Sequence, residues 1–184
     1  ASSFIKAFPL VPVEDEGRLH DQATRENFIV RIFCFHRLQL LLKKPFSIGS
    51  LVQFHTRHKF LILSHSRKKY GDMGQLVANA KKIKTAELKT RYSKLFMAAL
   101  SYKSTPKKNT DVLLHMMGFL KKILTREEKK NILSVIEDYR NELLPLVVPV
   151  TLICYQAKKH NIEYLLNQVY LNPHPKELML RNHV

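Results

Sequence analysis

Proline and glycine, the residues that interrupt helices most strongly, are sparse in this chain and leave long uninterrupted stretches between them. Only five glycines occur in 184 residues, and the eight prolines stand at positions 9, 12, 45, 106, 145, 149, 173 and 175. No stretch shows the sustained apolar–polar alternation that indicates a half-buried strand. The sequence therefore predicts an all-α fold.

The length of the chain sets the number of domains. With 184 residues and 45% hydrophobic content, the chain is long enough for one compact core and short for two. The segment FPLVPVEDEGRLHD (8–21) has two prolines, an acidic cluster and no helical period. We therefore expect residues 1–21 to form an extended arm or a linker from an upstream domain. Residues 22–184 are expected to form a single compact multi-helix domain.

Start signals and apolar periodicity locate the individual helices. Ser47, Ser66 and Asn161 are suited to accept a hydrogen bond from a free amide of a first turn, and Thr125 with Glu128 matches a capping box. The predicted helices lie near 22–43, 47–65, 67–82, 85–102, 110–124, 126–141, 149–160 and 162–170, with a short turn or helix at 175–181.

The charge balance indicates the kind of partner. Lys and Arg number 31 against 15 Asp and Glu, a formal charge of +16. Residues 1–20 carry two of these bases and three of the acids, so the remainder holds 29 against 12, or +17. Such a field attracts polyanions: nucleic acid first and an anionic membrane surface second, with a merely basic protein as the alternative. The absence of Trp and of a lysine helix with an aromatic margin argues against the membrane.

The cysteines and the longest apolar run indicate where in the cell the protein is expected to be. Cys34 and Cys154 stand far apart in the chain, so the sequence encodes neither a disulfide framework nor a cysteine-ligated cluster. Two isolated thiols suit a reducing cytoplasm. The longest apolar run, residues 143–155, is too short to span a bilayer and contains two prolines. We therefore expect a cytoplasmic protein that does not enter the membrane.

The segment FHTRHKFLILSHS (54–66) places three histidines in a mostly apolar helix. At about 100° per residue, His58 and His65 share a side with the apolar residues. They are interpreted as core histidines bonded to backbone or to a tyrosine. His55 lies nearer the border of that core with Arg57 and Lys59, where a partner is accessible.

A metal site is an alternative interpretation of the same segment. His55 and His58 on one helix, with Asp111 and His115 on a later one, form the best ligand constellation in the sequence. The pattern lacks the glutamate of an HExxH motif, and its two halves have no fixed spacing. No nucleophile motif accompanies the histidines. We therefore expect no cofactor and no catalysis by this chain alone, and keep a metal-dependent hydrolase or lyase as the alternative.

Basic residues with neighbouring aromatic rings suggest a nucleic-acid surface. Lys or Arg beside a phosphate displaces a condensed counterion, and Tyr or His faces stack on unpaired bases. No sequence-specific DNA- or RNA-binding motif is present, which favours structured RNA recognised through shape and phosphates. The predicted phosphate contacts are Arg57, Lys59, Arg67, Lys68, Lys69, Lys121 and Lys122. His55 and Tyr70 are the candidate base or sugar contacts.

Several separated motifs resemble one known family. They are RENFIVRIF (25–33), FHTRHKF with SHS (54–66), NTDVLLH (109–115) with GFLKK (118–122), YRNELLPLVVPVTL (139–152) and YLNPHPKELMLRN (170–182). In this order they resemble the YbgA-like domain family over residues 8–184. In many bacteria that domain follows a desulfidase domain, and PLVPVEDEGRL (9–19) is similar to the junction of such fusions.

The resemblance implies an all-helical accessory module that grips tRNA while the neighbouring domain, with a cysteine-bound iron–sulfur cluster, removes sulfur from 4-thiouridine. This chain departs from the fused pattern because the desulfidase part is missing, so a desulfidase is expected in cis or in trans. No catalytic residue is carried over from the family. The matched motifs add His58, His65, Asn109, His115, Arg181 and Asn182 to the candidate nucleic-acid contacts. Two alternatives stay open: a C-terminal lock for the tail, and a protein-docking module for the whole chain.

Overall fold

The computed structural model describes residues 7–43 and 45–182. Residues 1–6 of the predicted arm, and residues 44 and 183–184 of the predicted domain, lie outside the described residues. The described residues form helices and no strand, which confirms the all-α class. The α-helices are α1 (Gln22–Lys43), α2 (Ile48–His65), α3 (Arg67–Ala78), α4 (Thr85–Leu100), α5 (Pro106–Leu120), α6 (Arg126–Arg140), α7 (Val147–Lys159) and α8 (Glu163–Leu166). Short 3-10 turns lie at Gly17–His20, Ala80–Lys82, Val169–Leu171 and Lys176–Leu178.

Three of the four predicted caps are confirmed. Ser47 accepts a bond from the Ser50 amide over 3.0 Å and begins α2 with a reciprocal capping box. Thr125 and Glu128 form the predicted capping box of α6. Ser66 accepts from the Lys69 amide and allows the chain to turn between α2 and α3. Each cap satisfies an amide that a helix start leaves without a partner.

One predicted helix start and one predicted cap are wrong, and the predicted helix 162–170 is too long. α5 begins at Pro106 instead of residue 110, because Thr105 caps it and proline is well suited to the first helical position. Asn161 caps no helix: its φ is 52°, in the left-handed region, and it follows the end of α7. Its backbone carbonyl accepts from the Glu163 amide in a tight connection. α8 is only one turn long, because Asn167 ends it and the chain is extended at Gln168.

α2 lies at the centre of the bundle. It packs against α1, α3, α4, α5 and the 3-10 turn Val169–Leu171. Phe60, Leu61 and Ile62 are almost wholly buried, because a helix surrounded on several sides must be apolar over most of its circumference. Every neighbouring helix is therefore positioned against the one that carries the three histidines.

The arm and the tail both contact the bundle. The arm turns at residues 8–11, where the Val11 amide donates to the Phe8 carbonyl over 3.1 Å, and Leu10 packs against the core. Asp21 then accepts from the Thr24 amide over 2.8 Å and caps α1. The Val147 amide donates to the Arg181 carbonyl and holds the tail beside α7. In residues 7–43 and 45–182, no helix has the length and apolar character needed to cross a bilayer.

Candidate nucleic-acid interface

His58 and His65 are core residues, as the sequence predicted. Each residue is 3% exposed. Each Nδ1 faces a backbone carbonyl, that of Phe54 at 2.8 Å for His58 and that of Tyr102 at 2.6 Å for His65. Burial lowers the pKa of His58 to about 3 and that of His65 to about 4, so both rings are neutral at pH 7. Their position keeps both rings off the outer surface of the bundle.

The expectation that His55 lies at an accessible border of the core is wrong. Only 8% of the residue is exposed, and its ring is covered by Tyr70, which stacks on it at 5.2 Å with nearly parallel planes. The His55 Nδ1 lies 3.2 Å from the Tyr92 hydroxyl. The helical wheel missed this arrangement because α3 folds back over α2 and brings Tyr70 onto the flank that a single helix leaves open. Tyr70 remains half-buried at the surface.

Asn109 and Arg181 also lie in the interior, which does not match their expected contact with a surface-bound RNA. The Asn109 amide donates to the Tyr139 hydroxyl over 3.0 Å and accepts from that of Tyr170 over 3.1 Å. Arg181 pairs with Glu26 and donates to the Tyr170 carbonyl over 2.7 Å. The alternative interpretation of the tail as a C-terminal lock is thus the one that the geometry confirms.

The predicted metal constellation does not assemble. Among the residues that the structure describes, no group of three or more His, Cys, Asp or Glu is arranged to hold a metal ion. His55 and His58 stack on Tyr70 and Phe54, whereas His115 lies edge-on to Phe60 and lines a cleft with Asp111. The four predicted ligands are therefore divided between different environments, and the metal-site interpretation is wrong.

The remaining candidates lie at the surface. Arg57, Arg67, Lys68, His115, Lys121, Lys122 and Asn182 are exposed, and Lys59, Lys69 and Tyr70 are half-buried. Lys69 Nζ lies 3.7 Å from a carboxylate oxygen of Asp72, a weak exposed ion pair. Asn182 lies in the tail, where its amide donates to the Met179 carbonyl over 3.4 Å.

Three stacked rings form the most distinctive surface feature. Phe119 from α5 stacks on Tyr164 from α8, with ring centroids 4.9 Å apart and planes at 24°. His115, one turn earlier on α5, stacks on Phe119 at 6.1 Å and 18°. The Phe60 ring meets all three edge-on and holds the row in place. We call His115, Phe119 and Tyr164 the ring row. Phe119 is 40% exposed, His115 is exposed and Tyr164 is half-buried, so the row reaches the solvent, while stacking within the row covers the faces by which Phe119 meets His115 and Tyr164.

Cationic side chains border the ring row. Lys59 Nζ lies 5.3 Å from the centre of the Phe60 ring, a cation–π distance. Arg67, Lys108, Asp111 and His115 line a cleft of about 80 Å³ beside it. Burial, and then the charges of Lys59 and Arg67, lower the pKa of His115. His115 is thereby favoured in its neutral form, in which the ring stacks without adding charge.

The sequence did not identify Phe119 and Tyr164 as site residues. Phe119 lies near the end of α5, and Tyr164 lies in the one-turn helix α8. No spacing rule links residues 45 positions apart on two different helices. Only the docking of α8 beside α5 brings these rings together, and the local sequence carries no signal of it.

The protein is an all-α bundle centred on α2, with this row of rings on one side. Comparison with known families shows which family it belongs to. Residues 59–175 match the model of a family described as "Protein of unknown function (DUF1722)". Since the match covers more than half of the chain, this protein belongs to that family. The chain is 26% identical over 158 residues to "Uncharacterized protein YbgA" of Escherichia coli (strain K12), covering 85% of this chain and 94% of that protein. The YbgA-like resemblance predicted from the motifs is therefore confirmed. No solved structure matches.

Proposed function

We propose that this chain is a structured-RNA-binding module, that its RNA is tRNA, and that it serves as an accessory to thiouridine desulfidation. The observation that carries the proposal is the ring row with Lys59 and Arg67 at its border. Proteins that bind unpaired nucleotides combine such rings, on which bases stack, with cations that follow the phosphates. Alanine substitution of one stacking ring typically costs about 1–3 kcal/mol per base.

The positions of the basic residues support binding of a folded RNA rather than of any polyanion, such as heparin. Arg57 on α2, Arg67 and Lys68 at the start of α3, and Lys121 and Lys122 after α5 are exposed. α2 and α5 are packed against each other, so these cations belong to adjoining elements. A tRNA offers both kinds of partner, since its duplex arms present phosphates and its loops and 3′ end present unpaired bases. The cations bind the phosphates, and the ring row and Tyr70 stack on bases or sugars.

The proposed link to thiouridine desulfidation rests on the resemblance to YbgA-like domains. YbgA-like domains that follow a desulfidase would hold the tRNA while that neighbour removes sulfur from 4-thiouridine. On this proposal the present chain supplies binding and no catalytic group, works in the cytoplasm, and meets its desulfidase in cis or in trans.

One observation favours a second candidate, the protein-docking module. A cavity of about 360 Å³ lies between α7 and the tail, and the surface that lines it is mostly apolar. Tyr155 and Met179 at its margin are 59% and 67% exposed. Exposed apolar surface of this kind is common where proteins dock. A chain that only docks a desulfidase would bind it tightly and be indifferent to RNA.

The proposal is tested by measuring the affinity of the protein for tRNA, duplex DNA of similar length and heparin over a series of salt concentrations. We expect the affinity for tRNA to fall steeply with salt, with a log–log slope of several units, because each phosphate contact releases a counterion. We also expect tRNA to be preferred over DNA and heparin at every salt concentration. Flat salt dependence, or equal affinity for the three polyanions, contradicts the proposal.

A further inference from the structure

A second cavity, of about 300 Å³, lies where α1, α2, α5 and α6 meet the tail. Its walls include polar side chains that are each less than a tenth exposed and come from five separate sequence motifs: Asn27, His65, Asn109, Tyr139 and Arg181. Polar groups are buried at a cost unless they are paired. Their convergence from distant segments on one cavity of ligand size is typical of a binding site.

The tautomer of His65 follows from its partner. The Tyr102 carbonyl, 2.6 Å from Nδ1, can only accept a hydrogen bond, whereas the Asn27 amide nitrogen, 3.4 Å from the same atom, already donates to the Leu100 carbonyl. Nδ1 therefore carries the hydrogen, and Nε2 keeps its lone pair. Burial holds the pKa of His65 at about 4, so Nε2 remains an acceptor at neutral pH. The ring thus contributes an acceptor to the wall of the cavity.

A backbone carbonyl also fixes the orientation of the Asn27 side-chain amide. Its nitrogen donates to the Leu100 carbonyl over 3.1 Å, which turns the Asn27 Oδ1 away from that carbonyl. The Ser64 hydroxyl donates to the Leu61 carbonyl over 2.8 Å and retains its lone pairs. Asn27 and Ser64 both line the cavity, so its wall has further acceptors.

Tyr139 supplies the complementary donor. Its hydroxyl accepts from the Asn109 amide over 3.0 Å, while the Tyr170 hydroxyl donates to the other end of that amide. This network does not use the hydroxyl hydrogen of Tyr139. Burial raises the pKa of Tyr139 to about 12, so the hydrogen is present at neutral pH. Tyr139 is therefore a donor beside several acceptors.

The charges around the cavity argue against an anionic ligand. Arg181 is already paired with Glu26, their atoms 3.1 Å apart, and Glu142 adds a further carboxylate to the wall. A phosphate would meet no unpaired cation there. A neutral, planar group with adjacent donors and acceptors, such as the Watson–Crick edge of a nucleobase, matches both the charge and the size of the cavity.

The cavity adjoins the proposed RNA-binding surface. Lys108 Nζ donates to the His65 carbonyl over 2.9 Å, and the same residue lines the cleft with Arg67 and His115. A strand bound along the ring row therefore has the cavity within reach on the other side of Lys108.

We propose that this cavity receives one unpaired nucleobase, which donates an N–H to His65 Nε2 and accepts from the Tyr139 hydroxyl. The source of the base rests on the proposed function, since it would be part of the bound RNA. A single free nucleoside carries the same edge and serves as the probe.

The experiment measures binding of uridine, cytidine, adenosine and guanosine to the full chain by equilibrium dialysis and by ¹H–¹⁵N spectra. We expect at least one nucleoside to bind and to shift the side-chain amide signals of Asn27 and Asn109. Tyr139→Phe removes one hydroxyl. It should weaken the binding of that nucleoside about tenfold, because a buried hydrogen bond is lost. Tyr155→Phe, at the exposed groove beside α7, is the matched control and should leave the affinity for the nucleoside unchanged.

The outcomes separate this inference from the proposed function. The proposal that the cavity receives a nucleobase is overturned if no nucleoside binds wild-type protein or shifts those amide signals. It is also overturned if Tyr139→Phe folds and binds like wild type. Both results count even where tRNA binding persists. If nucleosides bind as expected but tRNA affinity is absent or independent of salt, the RNA proposal fails and the cavity stands. The amide shifts need no substitution, so they decide the matter even if Tyr139→Phe is unstable.

Discussion

Arg181 Nε donates to Glu26 Oε1 over 3.1 Å, an ion pair that joins the tail to the first helix of the bundle. The two side chains are only 9% and 14% exposed. The same guanidinium donates to the Tyr170 carbonyl and lies over the Tyr170 ring at 5.0 Å. The tail is therefore part of the folded domain, and the polar cavity depends on it for one wall.

Replacing Arg181 is expected to destabilise the fold strongly. Arg181→Met removes the guanidinium that pairs with Glu26 and donates to the Tyr170 carbonyl. The loss of one partner of a buried pair costs about 3–5 kcal/mol. We expect the free energy of unfolding, measured by urea titration at pH 7 with helical circular dichroism, to fall by about 3 kcal/mol.

Arg140→Met is the matched control, because Arg140 pairs with Glu137 at 3.5 Å with both side chains more than half exposed. We expect it to cost less than about 1 kcal/mol. The double substitution Arg181→Met with Glu26→Met should recover part of the loss by removing both charges. Equal effects of Arg181→Met and Arg140→Met would contradict a locking role for the buried pair.

The cations beside the ring row should set the salt dependence of tRNA binding. Lys59→Ala with Arg67→Ala removes two expected phosphate contacts, so the log–log slope should fall by about 2 and the affinity should fall for all RNA sequences alike. Filter binding over a salt series measures both quantities.

Lys81→Ala with Lys82→Ala removes the same charge from exposed positions in the 3-10 turn after α3. That turn lies about 18 Å along α3 from Arg67. The control should reduce affinity only slightly and leave the slope nearly unchanged. If both pairs act equally, the attraction comes from net charge and not from this surface.

The rings should contribute a base-dependent part of the affinity. Phe119→Leu with Tyr164→Leu keeps apolar side chains in place but removes the π-faces. We expect affinity for tRNA and for single-stranded RNA to fall by about tenfold or more, whereas heparin binding stays the same because heparin has no bases. Tyr155→Leu, on the exposed margin of the other groove, is the control and should have no effect. A parallel loss of heparin binding would show that the double variant perturbs the fold.

Much of the architecture was predictable because local signals specify it. Ser47, Ser66 and Thr125 cap their helices as predicted, and α1 spans the predicted 22–43. The start of α5 was missed because Thr105, its cap, and Pro106, its first residue, were not among the start signals considered. The shortness of α8 was missed because the chain leaves the helix at Asn167 and is extended at Gln168, and the sequence pattern marks neither residue as a helix end.

The sites were harder to predict because they depend on contacts between distant segments. The helical wheel placed His58 and His65 in the core correctly, since their burial follows from α2 alone. His55 was misplaced because Tyr70 covers it from another helix. Arg181 looked like a surface cation, and only the partner Glu26, 155 residues away, explains its burial. The order of the motifs identified the family without showing that several of them line one cavity.

The two buried histidines should make the protein less stable in mild acid. In the folded state the pKa is about 3 for His58 and about 4 for His65, below the unfolded value of 6.5. The main cause is burial. Nearby cations add to it: Arg37 and Arg57 beside His58, and Lys108, Arg181 and Arg31 beside His65. Above pH 6.5 both states carry neutral rings, so these groups make stability independent of pH there.

Below pH 6.5 the unfolded chain binds protons that the folded chain excludes, so the free energy of unfolding should fall as pH decreases from about 6.5 towards 4. At pH 5 each ring should account for about 2 kcal/mol of that loss. Urea titrations at pH 7 and pH 5 measure the difference, and His65→Gln should reduce it by about one ring's share. His20→Gln, at an exposed position in the 3-10 turn before α1, is the control and should leave the difference unchanged. A protein equally stable at pH 7 and pH 5 would show that His58 and His65 take up protons without unfolding.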